Sequence, residues 1–78
     1  MLKIGIVGCG LQAATIAGYM GIYNDQYEVA AVADINIDNA KSRMAEKSVN
    51  VAGDCCFFND VDEFIASGIK LDGIIIGT

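Results

Sequence analysis

The chain has 78 residues, of which 54 % are hydrophobic and 19 % are charged, and its formal net charge is −5. This composition excludes an intrinsically disordered chain, and the acidic balance argues against a nucleic-acid or anionic-membrane partner, since both are bound through clustered cations. The sequence contains no histidine, which excludes a Ser–His or Cys–His catalytic pair and a histidine-ligated metal site within these residues.

The first predicted elements are a strand and a helix separated by glycines. Residues 2–7 are mostly apolar and β-branched, and Gly8 follows them, which predicts a central strand. Apolar residues at helical spacing predict a helix over residues 11–22. The uncharged stretch over residues 4–23 has the length of a membrane span or a signal segment, but its five glycines favour two separate elements. We therefore predict no membrane segment.

A second strand and a second helix follow in the sequence. Residues 28–33 include the run Val-Ala-Ala-Val-Ala, which predicts a buried strand that ends at Asp34. Asn36 is in position to cap a helix that runs to about Lys47. The cations of this helix lie toward its C-terminal half, where they complement the helix dipole.

The middle of the chain predicts a loop and a short strand. Residues 48–54 are predicted to be irregular, and the apolar run over residues 55–58 predicts a third strand. Cys55 and Cys56 lie in this run, and an odd total of three cysteines without a C-x-x-C pair predicts neither a disulfide framework nor a zinc site. We predict that these two and Cys9 are small core residues in a reducing compartment, which favours a cytoplasmic protein.

The last predicted elements complete an α/β pattern. Asn59 or Asp60 is in position to cap a third helix that runs to about Ser67. The glycine-flanked isoleucine run over residues 73–77 predicts a fourth strand that is buried on both faces. Alternating short strands and helices predict a Rossmann-type, doubly wound parallel sheet. A complete sheet of this type has about six strands, so residues 1–78 are predicted to be the N-terminal part of a dinucleotide-binding domain, with about four strands and three helices.

A glycine motif lies between the first predicted strand and the first predicted helix. The pattern G-x-G-x-x-A begins at Gly8. Gly8 would allow a tight turn, and Gly10 would let the backbone approach a pyrophosphate. The free amides near Leu11 and Gln12 would then face the phosphates at the start of the helix. In the alternative interpretation, the glycines serve packing alone.

Asp34 stands at the end of the second predicted strand, about 20 residues after the glycine motif, where an acidic side chain accepts hydrogen bonds from ribose hydroxyls. Ile35 follows it and completes this part of the predicted site. After the second predicted strand, Asp34 and Asp38 precede the next cation, Lys41, and their carboxylates would repel the 2′-phosphate of NADP. NAD is therefore favoured over NADP as the cofactor. The alternative is that Asp34 is a solvated turn residue.

Four segments of the sequence resemble a known family when they are taken together. They are KIGIVGCG at residues 3–10, VAAVAD at 29–34, FNDVDEFI at 58–65 and LDGIIIGT at 71–78. In this order and at these intervals, the chain resembles the N-terminal NAD(P)-binding Rossmann domain of the glucose–fructose oxidoreductase / inositol dehydrogenase / MocA family. The resemblance covers essentially the whole chain.

Members of that family bind NAD or NADP and oxidise or reduce a hydroxyl or carbonyl group, often on a sugar or a cyclitol. The resemblance implies a pyrophosphate site at the glycine motif, a ribose site at Asp34, and a nicotinamide half lined by Gly77 and Thr78. The Glu-Lys-Pro motif and the substrate domain of the family have no counterpart in these 78 residues. No catalytic residue and no metal ligand are therefore predicted, and the small-molecule substrate would bind through a domain that this chain lacks.

Three functions remain open from the sequence. The first is the NAD(P)-binding portion of an oxidoreductase, a dehydrogenase that transfers hydride between the nicotinamide and a hydroxyl or carbonyl group of a sugar or cyclitol. The second is a non-enzymatic NAD-binding or redox-sensing module. The third is the first domain of another two-domain NAD(P)-dependent dehydrogenase or reductase. The sequence leaves the substrate, the direction of reaction and homo-oligomer formation open.

Overall fold

A computed structural model describes residues 2–8, 15–18 and 26–77 of the chain. Its four strands are Leu2–Val7 (β1), Tyr27–Ala33 (β2), Val51–Phe58 (β3) and Gly73–Ile76 (β4). Its two longer described helices are Ile37–Glu46 (α1), between β2 and β3, and Val61–Ala66 (α2), between β3 and β4. Residues 15–18, between β1 and β2, are also helical. The rest of the helix predicted over residues 11–22 lies outside the described residues.

The four strands form one parallel sheet in the order β3-β2-β1-β4. Ile6 in β1 pairs with Val32 of β2 on one side and with Ile75 of β4 on the other, so β1 is central, as predicted. The chain proceeds outward from β1 to β3 and then crosses back to place β4 on the free side of β1. This confirms the predicted α/β fold with a partial Rossmann-like arrangement, and it puts the reversal of strand order between β1 and β4.

Helices α1 and α2 both begin at side-chain caps that were among the predicted candidates. Asn36 accepts a hydrogen bond from the amide of Asn39 at 3.0 Å and begins α1. Asp60 accepts one from the amide of Glu63 at 2.8 Å and begins α2. Of the two candidates for the second cap, Asp60 is therefore the one that the structure uses. Such caps satisfy amides that have no partner within the helix.

One face of the sheet is covered by α1 and by the helical residues 15–18. The buried cluster on this face consists of Ile4, Ile6, Ala17, Tyr27, Val29, Val32, Ala40 and Met44. The hydroxyl of Tyr27 donates a 2.7 Å hydrogen bond to the carbonyl of Ala17 and accepts a 3.2 Å bond from the amide of Asn50. The buried hydroxyl is therefore satisfied both as a donor and as an acceptor, and its bond to Ala17 holds residues 15–18 against the sheet.

The opposite face of the sheet is covered by Phe64 of α2. Its ring meets the ring of Phe58 edge to face, with centroids 5.9 Å apart, and it packs with Ala31 and Ala33 of β2. A Cβ atom on Gly5 would lie only 2.8 Å from Cζ of Phe64, well inside a normal carbon–carbon contact. The missing side chain of Gly5 therefore makes room for the aromatic ring.

The structure corrects the predicted start of β3. This strand begins at Val51, so the irregular segment predicted over residues 48–54 is wrong for its second half. Val29 of β2 pairs with Val51, whereas Ala31 pairs with Cys56, so β3 carries extra residues between these two pairs. Extra residues of this kind break the alternation of apolar and polar side chains by which a strand is recognised.

The structure also corrects the burial of β4. Its side chains were predicted to be buried on both faces, but Ile74 and Ile76 are 53 % and 72 % exposed. Ile74 pairs with Gly5 and so projects from the face that carries Phe64, whereas Ile75 packs against the core on the other face. The physical reason is that α2 packs mainly over β2 and β3 and leaves this face of β4 uncovered.

The two adjacent cysteines of β3 differ in environment. Cys55 is half-buried, but Cys56 is exposed, so the prediction that both are core residues is wrong for Cys56; Cys9 lies outside the described residues. Side chains alternate between the faces of a strand, which separates the two thiols. Burial, followed by the charges of Cys56 and Asp54, raises the pKa of the Cys55 thiol to about 11 from 9.0.

We expect iodoacetamide at pH 8 to alkylate Cys56 at least ~10-fold faster than Cys55, because the thiolate is the reactive form and burial restricts access. Tandem mass spectrometry of timed samples would localise each adduct. The raised pKa keeps Cys55 protonated up to about pH 11, so its rate should climb between pH 9 and 11. Equal rates for the two thiols at pH 8 would contradict the difference in burial.

In the described part of the chain, no helix combines the length and the apolar character that crossing a bilayer requires.

Candidate functional site

A cleft of about 490 Å³ lies at the carboxyl ends of the strands. Its walls are the last residues of β1 and β2 and the residues that follow all four strands. The described residues that line it are Val7, Gly8, Ala33, Asp34, Ile35, Asn59, Asp60, Val61 and Gly77. Open parallel sheets bind ligands at this edge, beside the point where the strand order reverses.

The floor of the cleft is formed by backbone at the ends of β1 and β4. Gly8 has a φ of 73°, a left-handed conformation that glycine adopts without steric cost. Its amide donates to the carbonyl of Ala33 at 2.8 Å, and the amide of Gly77 donates to the carbonyl of Val7 at the same distance. These bonds hold the ends of three neighbouring strands together at the point of strand-order reversal.

Asp34 forms one wall of the cleft and is held by its neighbours. Its amide donates to the carbonyl of Phe58 at 2.9 Å. Its Oδ1 accepts the amide of Asn36 at 2.8 Å, and Asn36 itself caps α1. Asp34 is therefore fixed between the end of β2 and the start of a helix. Ile35, at the rim, is 93 % exposed.

Asp60 is a second carboxylate in the cleft, and the sequence predicted only its capping role. The parallel register pairs Ala33 with Phe58, so the residues after β3 leave the sheet next to Asp34. Among the described lining residues, two are acidic and none is basic. Within residues 2–8, 15–18 and 26–77, no three His, Cys, Asp or Glu side chains are grouped to hold a metal ion.

The structure brings half of the predicted site residues to this one cleft: Gly8, Asp34, Ile35 and Gly77. The remaining predicted site residues lie outside the described part of the chain: Gly10, Leu11, Gln12 and Thr78. Asn59, Asp60 and Val61 line the cleft but were absent from the predicted site. The signal that would have found them is the pairing of β2 with β3, which a single sequence does not display.

A second cavity, of about 630 Å³, lies at the opposite end of β1 and is lined by Lys3 and by residues 69–72. It is distant from the reversal of strand order, and the carboxylate of Asp72 is used there to accept the amide of Lys3 at 2.7 Å. The cleft at the carboxyl ends of the strands is therefore the better candidate site, although the second cavity is larger.

Comparison with known proteins leaves the family open. No protein-family model matches the chain, and a search of curated proteins finds no matching relative. The resemblance to the glucose–fructose oxidoreductase / inositol dehydrogenase / MocA family therefore stays a prediction from the sequence.

Proposed function

We propose that this chain binds NAD and forms the cofactor-binding portion of an oxidoreductase. The observation that carries the proposal is the cleft at the reversal of strand order, with Gly8 in a left-handed turn on one side and Asp34 at the end of β2 on the other. This is the place where parallel nucleotide-binding sheets hold a dinucleotide. The proposal includes a small-molecule substrate with a hydroxyl or carbonyl group, expected to be a sugar or cyclitol, and a cytoplasmic location.

The described residues fit the two halves of an adenosine diphosphate unit. Gly8 has no side chain at the turn after β1, so a diphosphate could approach its backbone closely. Asp34 ends β2 with a carboxylate whose oxygens are acceptors for the hydroxyls of a ribose. Ile35 offers an exposed apolar surface beside it, against which a flat base would lose contact with water.

The preference for NAD over NADP rests on charge. A 2′-phosphate on the adenosine ribose would lie beside the carboxylate of Asp34, and like charges repel. The role of the chain in this proposal is to bind and orient the cofactor. The nicotinamide ring of bound NAD would supply the two-electron redox chemistry.

The test measures the binding of NAD to the chain by calorimetry and by the shift of its thermal unfolding. NAD at about 100 times its dissociation constant should stabilise the folded chain by about 2.7 kcal/mol, and NADP at the same concentration by less. Asp34→Ala should weaken NAD binding at least ~10-fold, because hydrogen bonds to a charged group contribute about 1.5–3 kcal/mol.

Two further variants serve as controls for Asp34→Ala. Asp34→Asn keeps an oxygen that can accept the hydrogen bond from the amide of Asn36. Its affinity for NAD therefore shows the effect of removing the charge alone, with the turn retained. Asp62→Asn removes a carboxylate from the first turn of α2 that is absent from the described cleft lining, and it should bind NAD like the original chain. A cooperatively folded chain that shows no shift with NAD would overturn the proposal.

A further inference from the structure

We propose that Asp60 is a second specificity-determining residue of the cleft, whose carboxylate acts with Asp34 to exclude dinucleotides that carry an additional phosphate. The inference rests on the proposed function, because it concerns which cofactor the same cleft accepts. Its basis is the position of Asp60, the way in which its side chain is held, and the charge of the residues around it.

The pairing of β2 with β3 brings Asp60 and Asp34 to the same cleft. Ala33 pairs with Phe58 at the ends of β2 and β3, and the amide of Asp34 reaches the carbonyl of Phe58 at 2.9 Å. Neighbouring strands of a sheet lie about 4.8 Å apart, and both acidic residues line the same cleft. A phosphate held near Asp34 would therefore be exposed to the negative charge of both residues.

The carboxylate of Asp60 is restrained by the helix that it caps. Its Oδ1 accepts the amide of Glu63 at 2.8 Å, and the helix loses this cap if the side chain turns away. The charge therefore stays at the wall of the cleft when a ligand enters. Asp62, in the first turn of the same helix, is also acidic but is not among the described residues that line the cleft.

No cation among the described lining residues offsets these two charges. The amino group of Lys41 lies over the ring of Phe57, 4.7 Å from its centroid, and Lys41 does not line the cleft. The glycine segment over residues 9–14 contains no charged residue in its sequence. Because dinucleotide sites that accept a 2′-phosphate place an arginine near it, the charge of this cleft favours the unphosphorylated ribose.

The test compares the dissociation constants of NAD and NADP for the original chain and for Asp60→Asn, Asp34→Asn and the double variant. Asparagine caps a helix about as well as aspartate, so Asp60→Asn should keep the fold. We expect Asp60→Asn to shift the ratio of the two affinities toward NADP by about 5- to 10-fold, since the charge that it removes acts most strongly on the additional phosphate. The double variant should favour NADP more than either single one.

Asp62→Asn is the matched control, because it changes the net charge by the same amount on the same helix. It should leave the ratio of the two affinities unchanged, and Asp60→Ser, which also caps a helix, should reproduce the effect of Asp60→Asn. An unchanged ratio in Asp60→Asn, or an equal change in Asp62→Asn, would overturn this inference while NAD binding stands. Failure of the original chain to bind either dinucleotide would overturn the proposed function and this inference together.

Discussion

Replacing Phe64 with alanine is expected to lower the free energy of unfolding by about 3–5 kcal/mol. Phe64 is 7 % exposed, and it is the buried residue of α2. Its ring occupies the space above Gly5 and contacts Phe58, and α2 has only six residues, too few to be stable without tertiary packing. A domain of this size has a total stability of about 4–12 kcal/mol, so the variant should lose a large part of its stability and unfold at a much lower urea concentration.

Urea unfolding followed by circular dichroism would measure this loss. Ile65→Ala is the matched control, because Ile65 is the next residue of the same helix and is 69 % exposed; it should cost less than about 1 kcal/mol. A Phe64→Ala variant within about 1 kcal/mol of the original chain would show that α2 does not cover this face of the sheet.

Gly18→Ala is expected to destabilise the fold by about 1–2 kcal/mol. A Cβ atom at this position would lie 2.6 Å from the carbonyl oxygen of Lys47, at the C-terminal cap of α1. Backbone does not move aside as a side-chain end does, and forcing extra atoms into a packed site typically costs about 1–3 kcal/mol. The gain in helix propensity from glycine to alanine is at most about 1 kcal/mol, so steric overlap decides the sign.

Gly53→Ala is the control for this second prediction, since no atom of the described residues, its two chain neighbours aside, lies within 4 Å of the position that its Cβ would take. It should change the stability by less than about 0.5 kcal/mol. The measurement is the midpoint of thermal unfolding for both variants. A Gly18→Ala variant more stable than the original chain would mean that propensity outweighs the contact, and that residues 15–18 do not lie against Lys47.

Much of the fold could be predicted from the sequence, because many of its elements depend on short stretches of neighbouring residues. The buried strand after residue 27 and the caps at Asn36 and Asp60 depend on short segments alone, and the alternation of strands and helices implied a parallel sheet. The start of β3 could not be predicted, because its extra residues opposite β2 are a property of pairing. The exposed face of β4 was missed because an isoleucine run looks the same whether or not a helix covers it.

The candidate site also contains residues that the sequence predicted and residues that only the structure reveals. Gly8 and Asp34 belong to a motif whose spacing is visible in a single sequence, and the structure places both at one cleft. Asp60 was predicted as one of two candidate helix caps, and it is the cap. Its second position, on the wall of the cleft, follows from the pairing of Ala33 with Phe58, which is decided by the whole sheet.

The pairing of β1 with β4 also has a consequence for how the chain folds. The amide of Lys3 donates to the carboxylate of Asp72, and the amide of Asp72 donates to the carbonyl of Lys3, both at 2.7 Å and across 69 positions of sequence. Contacts so distant in sequence close a long loop, and their entropic cost slows folding. During synthesis, the edge of β1 that pairs with β4 has no partner strand until β4 has left the ribosome. Until then, this unpaired edge of β1 exposes a nascent copy to pairing with another chain.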